Sequence, residues 1–196
     1  MKLNSTLLVA LVAFVTFSFA GKGIDYKVVN GQSNVTWVGK KVTGEHSGAI
    51  KISQGKLVSN GKAITGGTFT MDMTSISNTD ITDAKYNQQL VGHLRSDDFF
   101  STEKYPTSTL AITKVTGGKN GQYVINGDLT IKGIKKPISF PATITHAGNQ
   151  IKAKAAIKVD RTAYDIKYGS GSFFDNLGDK AIDNEFTLNV NLVAQK

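Results

Sequence analysis

The sequence predicts an all-β, antiparallel protein with enough strands to close into a barrel, and three adjacent runs carry that prediction. Tyr123, Ile125, Gly127, Leu129 and Ile131 alternate with Val124, Asn126, Asp128, Thr130 and Lys132. Ile138, Phe140, Ala142 and Ile144 then alternate with Ser139, Pro141, Thr143 and Thr145, and Ile151, Ala153, Ala155, Ile157 and Val159 with four lysine or alanine positions and Asp160. A period of two marks strands with one buried and one wet face. Residues 132–137 and Ala147-Gly148-Asn149 supply the glycine, asparagine and proline that hairpin reversals use. The inner face mixes large residues with Gly127, Ala142, Ala153 and Ala155. That leaves two readings open: facing aromatic side chains fill the space, or the barrel encloses an apolar cavity.

Residues 1–20 read as a secretory signal, with Lys2 as the basic end, residues 7–19 as the apolar core and Ser18-Phe19-Ala20 as the small-residue cleavage site. The apolar run is short for a membrane span, which needs roughly 20 residues. Residues 21–196 then form one domain. The chain has no cysteine, so its stability rests on the core alone. Its formal charge of +8 suits anionic headgroups weakly, because Lys152, Lys154 and Lys158 also fit solvated strand faces and edge protection. Nucleic acid is disfavoured, since the aromatics are not interleaved with the basic residues.

The first strands fall at residues 25–30 and 33–41, with Val35, Trp37 and Gly39 on one face and Trp37 inside. A strand over residues 44–53 follows, and Ser59-Asn60-Gly61-Lys62 turns the chain into another over 63–74. There Phe69, Met71 and Met73 share a face, an adaptable lining for a flexible apolar guest and equally ordinary core. Alternation stops over residues 77–105, where a short helix is expected near 83–94. Long connections of this kind serve as lids or binding loops, and Phe99 and Phe100 could plug one barrel end. Asp98 reads as a helix cap or a partner for Arg95. Residues 108–115 and 185–195 supply two more strands, with Leu110 and Ile112, then Phe186, Leu188 and Val190, pointing inward. The total is about eight or nine strands, enough for closure. Their outward residues are Thr, Lys, Asn and Asp, which disfavours a lipid-embedded barrel.

Catalytic groups are sparse. His93, Ser96 and Asp97 lie within five residues of one another, too close in sequence to adopt triad geometry. No metal-ligand spacing is present, and residues 175–179 fail the calcium-loop pattern. Neither an enzyme nor a metal or cofactor protein is expected.

Residues His93-Leu94-Arg95-Ser96-Asp97-Asp98-Phe99-Phe100, Glu103-Lys104-Tyr105-Pro106-Thr107, Gly127-Asp128-Leu129-Thr130-Ile131-Lys132-Gly133 with Lys136-Pro137, and Asp160-Arg161-Thr162-Ala163-Tyr164 occur in the order and spacing of the YceI-like family. The chain closely resembles that family over residues 21–196. The resemblance implies an eight-stranded lipocalin-like antiparallel barrel, with the short helix before residue 95. It also implies a periplasmic location and a polyisoprenoid or other long-chain amphiphile, such as an isoprenoid quinone-like molecule, fatty acid or amide, held inside for transport or storage. A homodimer and transient membrane-surface contact are further implied partners. Two features depart from the pattern: residues 87–92 lack charge, and residues 169–179 look like an insertion that shapes the cavity mouth. The lining expected is Trp37, Phe69, Met71, Ile112, Leu129, Phe140, Ala155, Ile157, Phe186 and Leu188, with His93, Arg95, Tyr164 and Tyr168 at the mouth or lid. The alternatives are a stress-related interaction module with a filled core and a lipid-modifying enzyme. Protein recovered from its native cells is expected to start at Gly21 by intact mass; a species retaining residues 1–20 would contradict the signal assignment.

Overall fold

The computed structural model describes residues 23–196; the expected signal segment lies outside them. The strands are β1 (Ile24–Val28), β2 (Asn34–Lys41), β3 (Gly44–Ser59), β4 (Ile64–Asn78), β5 (Thr107–Gly117), β6 (Gln122–Ile131), β7 (Ile134–Ala147), β8 (Gln150–Asp160) and β9 (Ile182–Gln195), with one helix, α1 (Ala84–Arg95), between β4 and β5. All pairings are antiparallel, from β2 through β9 and back down to β3, which joins β2 again. β1 and β2 run along the same edge of β3, Ile24 opposite Ser59 and Lys41 opposite Gly44, so together they form one interrupted stave. The barrel is therefore closed and eight-staved, as expected from the sequence.

Alternation decides what each strand buries. In β6, Ile125, Gly127, Leu129 and Ile131 are buried while Gln122 and Val124 are exposed, and β8 buries Ile151, Ile157 and Val159 between exposed lysines. The β6–β7 reversal is tighter than the predicted 132–137. Lys132 (φ 50°) and Gly133 (φ 74°) turn the chain in two residues, and Ile131 pairs with Ile134. Two left-handed residues match the twist of the flanking strands. Pro137 and Pro141 consequently sit within a strand.

Successive antiparallel staves put the β3–β4, β5–β6 and β7–β8 turns at one end of the barrel. That end is sealed: Ile151 and Ala194 are 0% exposed, and Leu57, Ile64, Ile125, Ile144 and Leu192 pack beside them. The other end is covered by α1, residues 96–106 and residues 161–181. α1 starts where the Asp83 carboxylate accepts from the Tyr86 amide at 3.0 Å, a side-chain N-cap. Asn87, in the uncharged stretch, has a structural task, its Nδ2 donating to the carbonyls of Asn78 (3.2 Å) and Ile81 (2.9 Å).

Two guanidiniums fasten this cover. Arg95 Nη2 donates to the Thr74 and Ile76 carbonyls at 2.6 and 3.1 Å, tying α1 to β4; it does not pair with Asp98. Arg161, 4% exposed, donates to four carbonyls: Asp183 (2.9 Å), Ile166 (2.9 Å), Tyr168 (2.8 Å) and Ile182 (3.0 Å). Burial lowers its basicity, with Asp160 and Asp183 opposing that effect. Stranding buried acceptors costs about 1–3 kcal/mol each before relaxation. Arg161→Met should lower unfolding free energy in urea by roughly 3 kcal/mol or more, whereas Arg95→Met, at the more exposed pin, should cost less; equal losses would refute this ranking.

Candidate functional site

The barrel encloses a cavity of about 220 Å³. For scale, an engineered cavity of about 150 Å³ lined by aliphatic and aromatic groups stays dry and takes up benzene. The inner wall is built by strand alternation. Trp37 comes from β2, Phe69 and Met71 from β4, Ile112 from β5, Leu129 from β6, Phe140 from β7, Ala155 and Ile157 from β8, and Phe186 and Leu188 from β9. All ten positions selected as lining thus stand on this wall. Many inward residues, among them Trp37, Phe69, Leu110, Ala153, Phe186 and Val190, are only half-buried although strands flank them. The filled-core reading does not describe that space.

Trp37 is held in one orientation. Its Nε1 donates to the Ser77 carbonyl at 3.1 Å, and its ring lies over Gly48, where a Cβ would run into the indole and the same carbonyl. Gly127 is inward but is not spare room. It packs on the Ala111 carbonyl beside the irregularity in the β5–β6 register, so its small size serves backbone approach. Ala142, Ala153 and Ala155 do line the cavity.

The four residues expected at the mouth or lid all stand on the elements that cover one end of the barrel, and none of them lines the cavity. Leu94, Phe99, Phe100 and Arg161 face the cavity from the covered end instead. His93 and Tyr168 form a layer outside Phe99: the His93 ring meets Phe99 edge-on at 4.9 Å and Tyr168 at 4.6 Å, and its Nε2 is 3.0 Å from Asp98 Oδ2. Arg95 is engaged with β4. Tyr164, 3% exposed, is packed in the core beside Ile166, and burial, with Asp160 adding, pushes its phenol above the ordinary value. Helix geometry explains the offset, since the side chain of Leu94, between His93 and Arg95, is the one that reaches the cavity. Arg161 lies in the Asp160–Tyr164 motif, and its clamping of four carbonyls is not among the roles expected from the sequence. A lone arginine at a strand end, followed by tyrosine, is the signal that could have drawn attention to it.

The insertion-like segment 169–179 does not line the cavity. Ser170 anchors it, its Oγ donating to Asn184 Oδ1 at 2.7 Å, while Phe173 and Phe174 remain 49% and 50% exposed. Among the described residues no cluster of His, Cys, Asp or Glu could hold a metal ion. A second histidine–carboxylate pair, His46 Nδ1 with Asp80 Oδ2 at 2.8 Å, ties the start of β3 to the loop after β4. Desolvation of Asp80 is outweighed by the Ser47 amide, His46 and Asn78, which hold its carboxyl below the ordinary value.

A closed antiparallel barrel with an apolar interior and a pinned cover defines a small-ligand-holding β-barrel as the class. The chain belongs to the YceI-like domain family, whose model matches residues 26–194. Among solved structures it is similar to Burkholderia cenocepacia BcnA, with a TM-score of 0.69 and 25% identity over 86% of this chain and 99% of that one. It shares its fold with a polyisoprenoid-binding domain of Saccharophagus degradans, at TM-score 0.63 and 14% identity over 87% of this chain and 97% of that one. Its sequence is 32% identical to a UPF0312 protein of Photorhabdus laumondii over 105 residues, 53% of each chain. It is 44% identical to a UPF0312 protein of Vibrio parahaemolyticus over 57 residues, 29% of this chain and 30% of that one. The matched stretches thus span from under a third to about half of these curated relatives.

Ala155 tests the cavity directly. An indole at this position projects into the space, so Ala155→Trp should keep the far-UV circular dichroism of a β-barrel and abolish fluorescence enhancement of an apolar naphthylamine dye; undiminished enhancement would mean that the dye binds elsewhere.

Proposed function

We propose that this protein is exported by cleavage of residues 1–20 and holds a polyisoprenoid or similar long-chain amphiphile in its barrel as a carrier or store. The observation that carries the reading is the apolar cavity inside a closed barrel whose outer faces are polar. Each methylene taken out of water contributes about 0.8 kcal/mol, so an isoprenoid chain binds through length alone and the wall needs little polar chemistry. Trp37, Phe69, Met71, Ile112, Leu129, Phe140, Ala155, Ile157, Phe186 and Leu188 are the wall we assign to the chain, with Met71 adapting to its bends. The sealed end, packed with Ile151 and Ala194, suits the terminal methyls. The polyisoprenoid-binding domain of S. degradans supports the ligand class through shared fold. In this reading no chemical step occurs; the outer His93–Asp98 pair serves the cover, and ligand is returned unaltered.

Organic extraction of protein purified from its native periplasm, followed by mass spectrometry beside a delipidated control, is expected to yield a long-chain lipid at near-stoichiometric amount. An empty extract, together with no uptake of added prenyl alcohol by delipidated protein, would overturn the carrier reading.

A further inference from the structure

The ladder between β7 and β8 stops half way along. It runs from Ala147 opposite Gln150 to Ala142 opposite Ala155 and ends there. Beyond that level the stretch of β7 from Pro141 back to Ile134 pairs only with β6, and β8 from Ala156 to Asp160 pairs only with β9.

The sequence contains the reason. A two-residue turn makes Ile131 and Ile134 a mutually bonded pair, so the amides of Ile134, Lys136, Ile138 and Phe140 point at β6. Those of Lys135, Pro137, Ser139 and Pro141 then point at β8. Continuing the Ala142–Ala155 register would set Pro141 opposite Ala156, Ser139 opposite Lys158 and Pro137 opposite Asp160. Proline has no N–H to give. Two of those three donors are therefore missing, the first of them at the position where the ladder ends.

The wall is also thin there. Ala142, Lys154, Ala155 and Val190 border both the interior cavity and a groove on the outer face that takes in Gln122, Pro141, Thr143 and Asn191. At the other limit of the seam, the turn Arg161–Tyr164 packs on β7 and β9, held by the Arg161 bonds. Parting β7 from β8 between these limits breaks no ladder bond. Passage through the covered end would instead undo the Arg95 or Arg161 pins, and parting β8 from β9 would break a ladder that runs unshifted from Gln150–Gln195 to Asp160–Glu185.

We propose that this seam is the lateral gate of the cavity: an apolar chain passes between β7 and β8, and its polar end rests in the outer groove. Gln122, Thr143, Lys154 and Asn191 all carry hydrogen-bond donors, which selects a head group with acceptor oxygens. The gate rests on the lipid-holding reading of the cavity.

Because the chain has no cysteine, a staple across the seam can be made and undone. The variant Pro141→Cys with Ala156→Cys places a disulfide where the first missing ladder pair would fall. The probe is all-trans-retinol, an isoprenoid alcohol that accepts excitation energy from Trp37, the single tryptophan. In stopped-flow mixing, the reduced variant sets the reference rate, at or below that of the wild type because Pro141→Cys restores one of the two missing donors. The oxidised variant should be slower by about tenfold or more, the change that about 1.4 kcal/mol on the barrier produces, with its equilibrium capacity kept. A second variant, Pro137→Thr with Pro141→Thr, restores the donors and should slow uptake without any cross-link. Unchanged rates in both, with wild-type protein binding retinol, would overturn the gate and leave the carrier reading standing. Failure of wild-type protein to bind retinol would overturn both.

Discussion

Every strand edge in this molecule has to be paired, covered or disarmed, and the barrel follows from how each edge meets that demand. Unpaired edges recruit other strands, and unbonded amides and carbonyls are costly when buried. Closure of β2 onto both β3 and β9 removes the two edges an open sheet would leave. The interruption between β1 and β2 is tolerated because Ser33 repairs it: its Oγ shares one proton between the carbonyls of Val29 (3.0 Å) and Val193 (3.2 Å) and accepts from the Val193 amide (3.0 Å). Along β7 the same demand is met by prolines, which present no donor.

The covered end obeys a related rule. Carbonyls left over where strands stop and loops begin need donors, and arginine brings five in a rigid fork. Arg95 satisfies carbonyls at the end of β4 and Arg161 those around the start of β9. No carboxylate stands within ion-pair distance of either among the described residues. The cost of burying Arg161 is offset by four oriented peptide carbonyls, with Asp160 and Asp183 adding favourable charge from beyond ion-pair distance. Its guanidinium can thus border the cavity with its donors turned to peptide carbonyls.

The parts of the fold set by local periodicity were legible in the sequence, and the parts set by tertiary register were not. Alternation located the strands and assigned their inward faces, from Trp37 to Leu188, and Asp83 marked the start of α1. Pro137 read as a turn residue because proline favours turns; its place on β7 depends on Lys132 and Gly133 completing the reversal in two residues. Gly127 read as spare volume because a missing side chain looks the same whether it faces a void or a neighbouring backbone. His93, Arg95, Tyr164 and Tyr168 were assigned to the mouth or lid from their chemistry. Which of them reaches the interior depends on the rotation of α1 and on the pins made by Arg161, and neither leaves a periodic trace.

An interior left empty is itself a thermodynamic statement. Unfilled apolar volume costs on the order of 24 cal/mol per Å³ in a packed core. A void of about 220 Å³ therefore represents roughly 5 kcal/mol relative to a filled interior, comparable to the whole stability of many domains. With no disulfide to compensate, the chain carries that cost through the sealed half of the barrel, where Ile151 and Ala194 lose all exposure. A hydrocarbon guest recovers dispersion contacts along the wall at the same time as it leaves water. Occupancy and folding stability are then linked, so the loaded barrel is the more stable form. Such a protein gains most by taking ligand up without unfolding its cover, and a seam that breaks no ladder bond provides a route of that kind.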